Sequence, residues 1–213
     1  TDYIEAVDDI VIGYKFDQID GEGNVAGVAG PTLRRPDTNL PIAATMVFDI
    51  DDVDRLTAEG SFESVILHEM GHSLGFVDPW DQYPKNCGVS CNKFDNGGTS
   101  DCNASKEFKK VFSGDLLLYS VGESGDGSFC SHWDEDQLGD ELMTPRVAFG
   151  KKSPLTAITI GAFEDIGYEV SYASAEDVNS ISFSSDNVSY ISEATSFLKR
   201  RKLVDSSYEN WNS

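Results

Sequence analysis

Short apolar runs separated by turn residues predict three β-strands in the first fifty residues. Each run is rich in β-branched or aromatic side chains, and they cover residues 9–16, 25–33 and 42–50. The second run contains Gly27, Gly30 and Pro31, which weaken a strand inside a sheet. This strand is therefore expected at an edge.

The apolar positions change to a helical spacing after residue 50, and a short helix is predicted over 51–58. A second helix is predicted after Gly60, with Ser61 as a cap at its start. Gly75 can supply the left-handed residue that ends this helix. Its apolar face, which is expected to pack on the sheet, comprises Val65, Ile66, Met70 and Leu74.

The segment from 77 to 131 is rich in Gly, Ser, Asn and Asp, which predicts a long irregular region. Within it, a strand is predicted over 116–121, and a helix over 104–112. The apolar stripe of that helix consists of Phe108, Val111 and Phe112.

A last helix is predicted over 156–166 and ends at Gly167. The chain after it is Ser-rich and weakly patterned. Residues 1–170 are therefore predicted to form one domain, and residues 171–213 a C-terminal extension or the start of a following region.

Composition narrows the possible partners of this domain. The 213 residues are 39% hydrophobic, which suits one folded core, and the net charge is −21. A surface this acidic repels nucleic acid and anionic membranes. No apolar run approaches the roughly 20 residues that span a bilayer, and no signal peptide begins at Thr1. The sequence is expected to be a mature form or an excised segment.

Four cysteines lie close together, at Cys87, Cys91, Cys102 and Cys130. An even number within one irregular region predicts two disulfides and an extracellular, oxidising environment. Three pairings are possible. The alternative of a cysteine zinc site is disfavoured because no Cys-x-x-Cys pair occurs. Asn103 and Asn187 begin glycosylation acceptor patterns, although Asn103 can equally cap the helix that follows it.

The pattern His68-Glu69-Met70-Gly71-His72 lies inside the second predicted helix. Residues four apart share one helix face, so His68 and His72 can bind one zinc ion, with Glu69 beside them as a base for water. Zinc then needs a third protein ligand. The only other histidine is His132.

The motif extends to His-Glu-x-x-His-x-x-Gly, which is the opening of the metzincin signature. The position that carries the third histidine in the short form of that signature holds Asp78 here. Two alternatives follow: Asp78 is itself a ligand, or the third ligand lies beyond an insertion.

A second pair of motifs favours the insertion. Sixty positions after His72 comes Ser131-His132-Trp133-Asp134-Glu135, followed by Asp140-Glu141-Leu142-Met143-Thr144-Pro145. In its motif helix, this Ser-His-Trp run and the Glu-Leu-Met run, the chain resembles the leishmanolysin family of metzincins over residues 9–170. The resemblance implies that His68, His72 and His132 bind one zinc ion, that Glu69 is the catalytic base, and that Met143 lies in the methionine turn.

The resemblance also implies an α+β metzincin-like catalytic domain. Its expected parts are a small twisted mixed sheet, the active-site helix beneath the sheet, and an irregular lower lobe held by disulfides. Family members begin with a further strand and helix before the segment matching Asp9, and these are expected to be missing here. Calcium is a weaker possibility at Asp49, Asp51, Asp52 and Asp54, which lack the other ligands of a calcium loop and are expected to be a solvated helix start.

The implied activity is zinc-dependent hydrolysis of peptide bonds in protein or peptide substrates, by a secreted or cell-surface enzyme. Two alternatives remain. One is a catalytically inactive adhesion or binding module with the same fold, which the presence of Glu69 disfavours. The other is a zinc hydrolase that acts on a non-peptide substrate. Neither membrane contact nor the oligomeric state can be inferred from this segment.

Overall fold

The structure is a computed structural model, and it describes residues 7–76, 102–119, 128–148, 150–182 and, for the backbone, 188–190. It contains a small mixed sheet and several helices, which confirms the mixed composition predicted from the sequence.

The main sheet has three strands: β1 (Val11–Asp17), β2 (Gly27–Arg34) and β3 (Pro41–Asp49). β3 lies in the centre, parallel to β1 and antiparallel to β2. β2 is an edge strand of this sheet, and its register shifts after Pro31, as expected for a strand with proline and glycine in it.

Helix α1 (Ile50–Glu59) follows β3 directly, and Asp49 caps it by accepting a hydrogen bond from the Asp51 backbone N–H at 3.0 Å. The other carboxylate oxygen of Asp49 accepts three more, from the backbone N–H groups of residues 19, 20 and 21. Burial acts to raise the pKa of Asp49, but these four hydrogen bonds outweigh it and hold the pKa below its usual value.

The prediction that the aspartates near residue 50 are solvated is wrong for Asp49 and Asp52, since both are 0% exposed. Asp52 pairs with Arg55 and accepts a hydrogen bond from the Gly23 backbone N–H. Both side chains are buried because the connection between β1 and β2 crosses the end of β3 and folds over the start of α1.

Helix α2 (Phe62–Ser73) carries the histidine motif. Gly75 ends it with a φ of 96°, and the N–H groups of Gly75 and Phe76 donate to the carbonyls of His72 and Gly71. This is the Schellman arrangement, so the prediction for Gly75 is confirmed. Ser61 occupies the N-cap position without a capping hydrogen bond, which corrects its predicted role. Its hydroxyl donates to the Ala148 carbonyl at 3.0 Å instead.

Two groups of buried apolar side chains flank α2. The sheet core lies between the sheet and α2 and consists of Ala26, Ala29, Met46, Phe48, Leu56, Val65 and Val147. Ile66 and Met70 pack against it, as predicted. The lower core lies on the other side and includes Phe76, Phe108, Trp133, Leu142, Met143 and Ile158. Leu67 of α2 packs against it, so the motif helix lies between two cores.

The lower core is formed by α3 (Asn103–Lys109), α4 (Glu135–Leu138) and α5 (Ala157–Asp165). Helix α3 packs tightly on α5: a Cβ on Gly161 would lie 2.8 Å from the backbone of α3. The Asp165 carboxylate accepts hydrogen bonds from the first two N–H groups of α3, at 2.8 and 3.0 Å. Asp165 therefore caps α3, and Asn103 is its first helical residue rather than its cap.

Three sequence predictions for this region need correction. Val111 was expected in the apolar stripe of α3 but is 51% exposed, because the helix ends at Lys109. Where the strand predicted over 116–121 falls on described residues, the chain forms isolated bridges, among them that between Leu118 and Trp133, and not a strand. A pair of short strands, β4 (Arg146–Ala148) and β5 (Val188–Tyr190), was not predicted.

The chain beyond α5 continues to contact the domain. Leu155 and Glu176 exchange two hydrogen bonds, and so do Asp140 and Ser182. These contacts hold residues 176–182 against the segment between α4 and α5. The boundary between a domain of residues 1–170 and an extension of residues 171–213 stays a prediction. None of the helices in the described ranges has the length and apolar character that crossing a bilayer requires.

Candidate metal centre

Three histidine side chains meet below α2. The Nε2 atoms of His68, His72 and His132 lie 3.0 to 3.1 Å from one another, so they form a nearly equilateral triangle. All three side chains are buried. They are the one group of three or more metal-ligating residues that converges among the described residues.

The histidines reach this point from opposite directions. His68 and His72 lie one turn apart on α2 and share its lower face. His132 is positioned by backbone pairing on both sides: its carbonyl accepts from the Tyr119 N–H, and the Trp133 N–H donates to the Met143 carbonyl. These bonds return the chain to α2 sixty residues after His72.

Each imidazole is oriented by a backbone carbonyl at its other nitrogen. Nδ1 of His68 lies 2.6 Å from the Leu142 carbonyl, Nδ1 of His72 lies 3.2 Å from that of Phe76, and Nδ1 of His132 lies 3.3 Å from that of Ser128. Because a carbonyl only accepts, these contacts place the proton on Nδ1 of His68 and His72. Nδ1 of His132 also lies 2.9 Å from the Ser131 hydroxyl, which can accept from it as the Ser128 carbonyl does, so both partners are compatible with a proton on that Nδ1. Every Nε2 then presents a lone pair to the centre of the triangle.

This arrangement fits a metal ion. Burial lowers the pKa of all three histidines, to about 4 for His68, so the rings are neutral near pH 7. Three lone pairs at this separation repel one another unless a cation lies between them. A tetrahedral zinc ion with bonds of about 2.0–2.1 Å needs nitrogens roughly 3.3 Å apart, close to the observed triangle.

Glu69 lies on α2 directly after the first histidine and is 1% exposed. Its Oε1 has no hydrogen-bond partner among the described residues. Burial raises the pKa of Glu69 well above its usual value. Its carboxylate lies against β2 at Gly27, where an added Cβ would come within 2.9 Å of Oε1. A glycine at this position of the edge strand leaves the space that the side chain occupies.

Met143 is 0% exposed and packs against α2 between the two motif histidines. A Cβ on Gly71 would lie 2.7 Å from its sulfur. Gly71 therefore allows Met143 to approach the helix at the turn that carries His72. The sequence indicated Met143, but the contact with Gly71 was not predicted.

Several predicted site residues lie outside the described ranges, namely Asp78, Cys87 and Cys91. Cys102 and Cys130 are both disulfide-bonded. The predicted set of two disulfides within the lower lobe stays a prediction.

Two features of the site were missed from the sequence. One is the Leu142 carbonyl, which orients His68, and the other is Glu141, a buried carboxylate beside it. The available signal was weak: Glu141 directly precedes the apolar pair Leu142-Met143, and an acid that is buried beside such residues needs several donors. No sequence signal identifies a backbone carbonyl.

Comparison with known sequences gives the family. The sequence model of the leishmanolysin family matches residues 35–185, which is more than half of the chain and includes all three histidines. The chain belongs to the leishmanolysin family of metallopeptidases. The resemblance inferred from its motifs is therefore confirmed.

Two relatives show how much of a longer protein this segment covers. Leishmanolysin of Leishmania major is 32% identical over 119 residues, which are 53% of this chain and 19% of the relative. The ciliated left-right organizer metallopeptidase of Mus musculus is 25% identical over 161 residues, or 65% of this chain and 22% of the relative. This leishmanolysin-family chain thus matches about a fifth of the length of each relative.

Proposed function

We propose that this chain is the catalytic segment of a zinc-dependent endopeptidase. The observation that carries the proposal is the triangle of three Nε2 lone pairs, at 3.0 to 3.1 Å, in a chain of the leishmanolysin family. His68, His72 and His132 would hold the ion. Four-coordinate zinc with three protein ligands keeps one position open for water or substrate.

When bound, zinc supplies Lewis-acid chemistry that makes water nucleophilic near neutral pH and polarises the scissile carbonyl. The protein contributes geometry. The carbonyls of Leu142 and Phe76 orient the two rings on α2, and the Ser128 carbonyl together with the Ser131 hydroxyl orients His132. The surrounding burial limits bulk water and strengthens each electrostatic interaction in the site.

Glu69 is proposed as the general base and then the general acid. Its Oε1, which has no partner among the described residues, would accept a proton from the attacking water and pass it to the leaving amine. Burial favours the protonated form, whereas a cation beside the carboxylate favours the ionised form. A bound metal ion would therefore bring Glu69 toward the protonation state that a base needs.

The substrate class is proposed to be protein or peptide, and the location to be extracellular or at the cell surface. Membership of the leishmanolysin family supports the substrate class. The extracellular location is supported by Cys102 and Cys130, which are both disulfide-bonded.

The experiment is metal analysis of the purified chain together with a peptidase assay on a peptide library, for wild type and Glu69→Gln. We expect one zinc ion per chain in both proteins. Activity should be confined to wild type, because the amide keeps the shape of Glu69 but cannot accept the proton.

The proposal has distinct ways to fail. No stoichiometric zinc in wild type would reject the metal centre. Zinc without cleavage of any peptide would favour the binding module or a non-peptide substrate. Equal activity in wild type and Glu69→Gln would leave the enzyme but remove Glu69 as its base.

A further inference from the structure

Glu141 is a buried carboxylate that the proposed reaction does not use. It is 0% exposed and accepts four hydrogen bonds. Its Oε2 accepts from the Met143 backbone N–H at 2.7 Å. Its Oε1 accepts from the Thr156 backbone N–H at 3.1 Å, from the Thr156 hydroxyl at 3.0 Å and from the Thr159 hydroxyl at 2.7 Å.

Residues 141–144 form a turn, here called the Met143 turn, in which the Thr144 N–H donates to the Glu141 carbonyl. The Met143 turn makes three contacts with the histidine site. The Leu142 carbonyl accepts from Nδ1 of His68 at 2.6 Å. The Met143 sulfur packs against Gly71 of α2. The Met143 carbonyl accepts from the backbone N–H of Trp133, next to His132. Moving this turn would therefore disturb His68 directly and the other two histidines through their neighbours.

Glu141 also connects the turn to α5. Thr156 is the N-cap of α5, so the carboxylate lies at the positive end of that helix. Thr159, one turn further on, donates to Glu141 and accepts from the indole N–H of Trp133 at 2.8 Å. One carboxylate thus links α5, the Met143 turn and the residue after His132.

We propose that Glu141 is a positioning residue for the metal centre, because it fixes the Met143 turn and, through the Leu142 carbonyl and Trp133, the orientation of the histidine triad. This inference rests on the proposed zinc function. Glu141 touches neither metal nor substrate. It acts on residues that orient ligands, and loss of such outer contacts weakens metal binding by about 10- to 100-fold in other proteins.

The informative substitution is Glu141→Gln, which keeps the volume. Glutamine offers one acceptor oxygen and one donor nitrogen. If the glutamine oxygen points toward the threonines, the NH2 group faces the Met143 N–H. If the oxygen points toward Met143, the NH2 group faces the Thr156 N–H. Either orientation leaves one buried backbone N–H without an acceptor, so the turn must shift.

The test is the zinc dissociation constant of folded protein, measured by competition with a chromophoric chelator at 25 °C, together with the ligand-field spectrum of the Co²⁺ form. We expect Glu141→Gln to bind zinc about 10- to 100-fold more weakly than wild type and to alter the Co²⁺ spectrum. A purely structural role would lower the unfolding midpoint but leave both readouts of the folded protein unchanged.

Glu176→Gln is the matched control. The exposed Glu176 carboxylate accepts one N–H, from Leu155, which a glutamine oxygen can also accept. Its zinc affinity should equal that of wild type. If Glu141→Gln also equals wild type in affinity and spectrum, the positioning role is wrong while the zinc centre stands. If wild type itself binds no zinc, the proposed function fails first.

A second pair of variants decides the question if Glu141→Gln does not fold. Thr159→Val removes the hydroxyl that joins Glu141 to Trp133, and Thr159→Ser retains it. We expect weaker zinc binding in the valine variant and wild-type binding in the serine variant. Equal affinity in both would overturn the inference.

Discussion

Two glycines determine how closely other elements approach the catalytic helix. At Gly71 the missing side chain admits the Met143 sulfur, and at Gly27 it admits the Glu69 carboxylate. Neither glycine has a positive φ, so the reason for glycine at both positions is space rather than backbone conformation. Gly71 lies on α2 itself and faces Met143 of the lower core, whereas Gly27 lies on β2, which packs on α2 from the sheet.

Gly27→Ala is expected to displace Glu69 and reduce peptidase activity while zinc is retained. The added Cβ would lie 2.9 Å from Oε1 and 3.0 Å from Cγ of Glu69, so the side chain must move. A misplacement near 1 Å costs about 100-fold in rate, so kcat/KM should fall by about that factor. Gly30→Ala, on the same strand with nothing within 4 Å, is the control. Equal activity of the two variants would show that Glu69 tolerates the displacement.

Met143 is expected to act through packing and not through coordination. Met143→Leu nearly conserves the volume, so the free energy of unfolding should fall by less than about 1.5 kcal/mol with zinc retained. Met143→Ala should cost about 2–5 kcal/mol, because the 0% exposed side chain leaves a cavity under α2. Denaturant unfolding and metal analysis provide the measurements. A folded Met143→Leu protein without zinc would make the sulfur a ligand.

At the scale of elements, the strands and helices that could be predicted are those marked by local sequence signals. β3 and α2 were predicted nearly in full because a continuous apolar run, a capping glycine and a paired histidine spacing are all local. The errors have long-range causes. β4 pairs with β5, whose residues lie 40 to 44 positions later in the chain, and Ser61 bonds to Ala148 instead of capping α2. Asp49 is buried because a distant connection folds over it. No local pattern encodes such contacts.

Asp49→Asn is expected to destabilise the junction of β1, β3 and α1. The carboxylate accepts one N–H on Oδ1 and three on Oδ2. An asparagine NH2 group would face N–H donors on one side, so the free energy of unfolding at pH 7 should fall by about 1–3 kcal/mol. Chemical denaturation measures this. The control is Asp51→Asn, two residues away with an exposed side chain, which should change the free energy of unfolding by less than about 0.5 kcal/mol.

The destabilisation by Asp49→Asn should depend on pH. The pKa of Asp49 is lowered in the folded state, so its contribution to stability is complete above the unfolded value of about 3.9 and is lost as pH falls through the folded value. The stabilities of the two proteins should therefore begin to converge as pH falls below about 4, and the convergence should be complete once pH is below the folded pKa of Asp49. A constant difference down to pH 2 would mean that packing, and not the charge, is responsible.

At the scale of the whole molecule, the histidines bring distant parts of the chain together, and disulfides are expected to do the same. Cys102 and Cys130 are disulfide-bonded, and both lie in the part of the chain between His72 and His132. We expect all four cysteines to be paired, since such bonds restrict the unfolded chain and help return His132 to α2. Thiol titration of the unfolded, unreduced protein should find no free thiol. Four reactive thiols would reject both the pairing and the extracellular assignment.

Zinc removal is expected to destabilise the whole domain, because the proposed ligands come from both sides of the lower core. His68 and His72 belong to a helix between the two cores, whereas His132 belongs to the segment paired with Tyr119 and Met143. An ion bound only in the folded state adds about 4 kcal/mol of stability at a free concentration 1,000 times its Kd. Chelation should therefore lower the thermal midpoint of wild type by several degrees. In His132→Ala, which retains only the pair on α2, the chelator should shift the midpoint far less. An equal shift in both proteins would place the stabilising ion elsewhere, and the link between the motif helix and the returning segment would then have to come from packing alone.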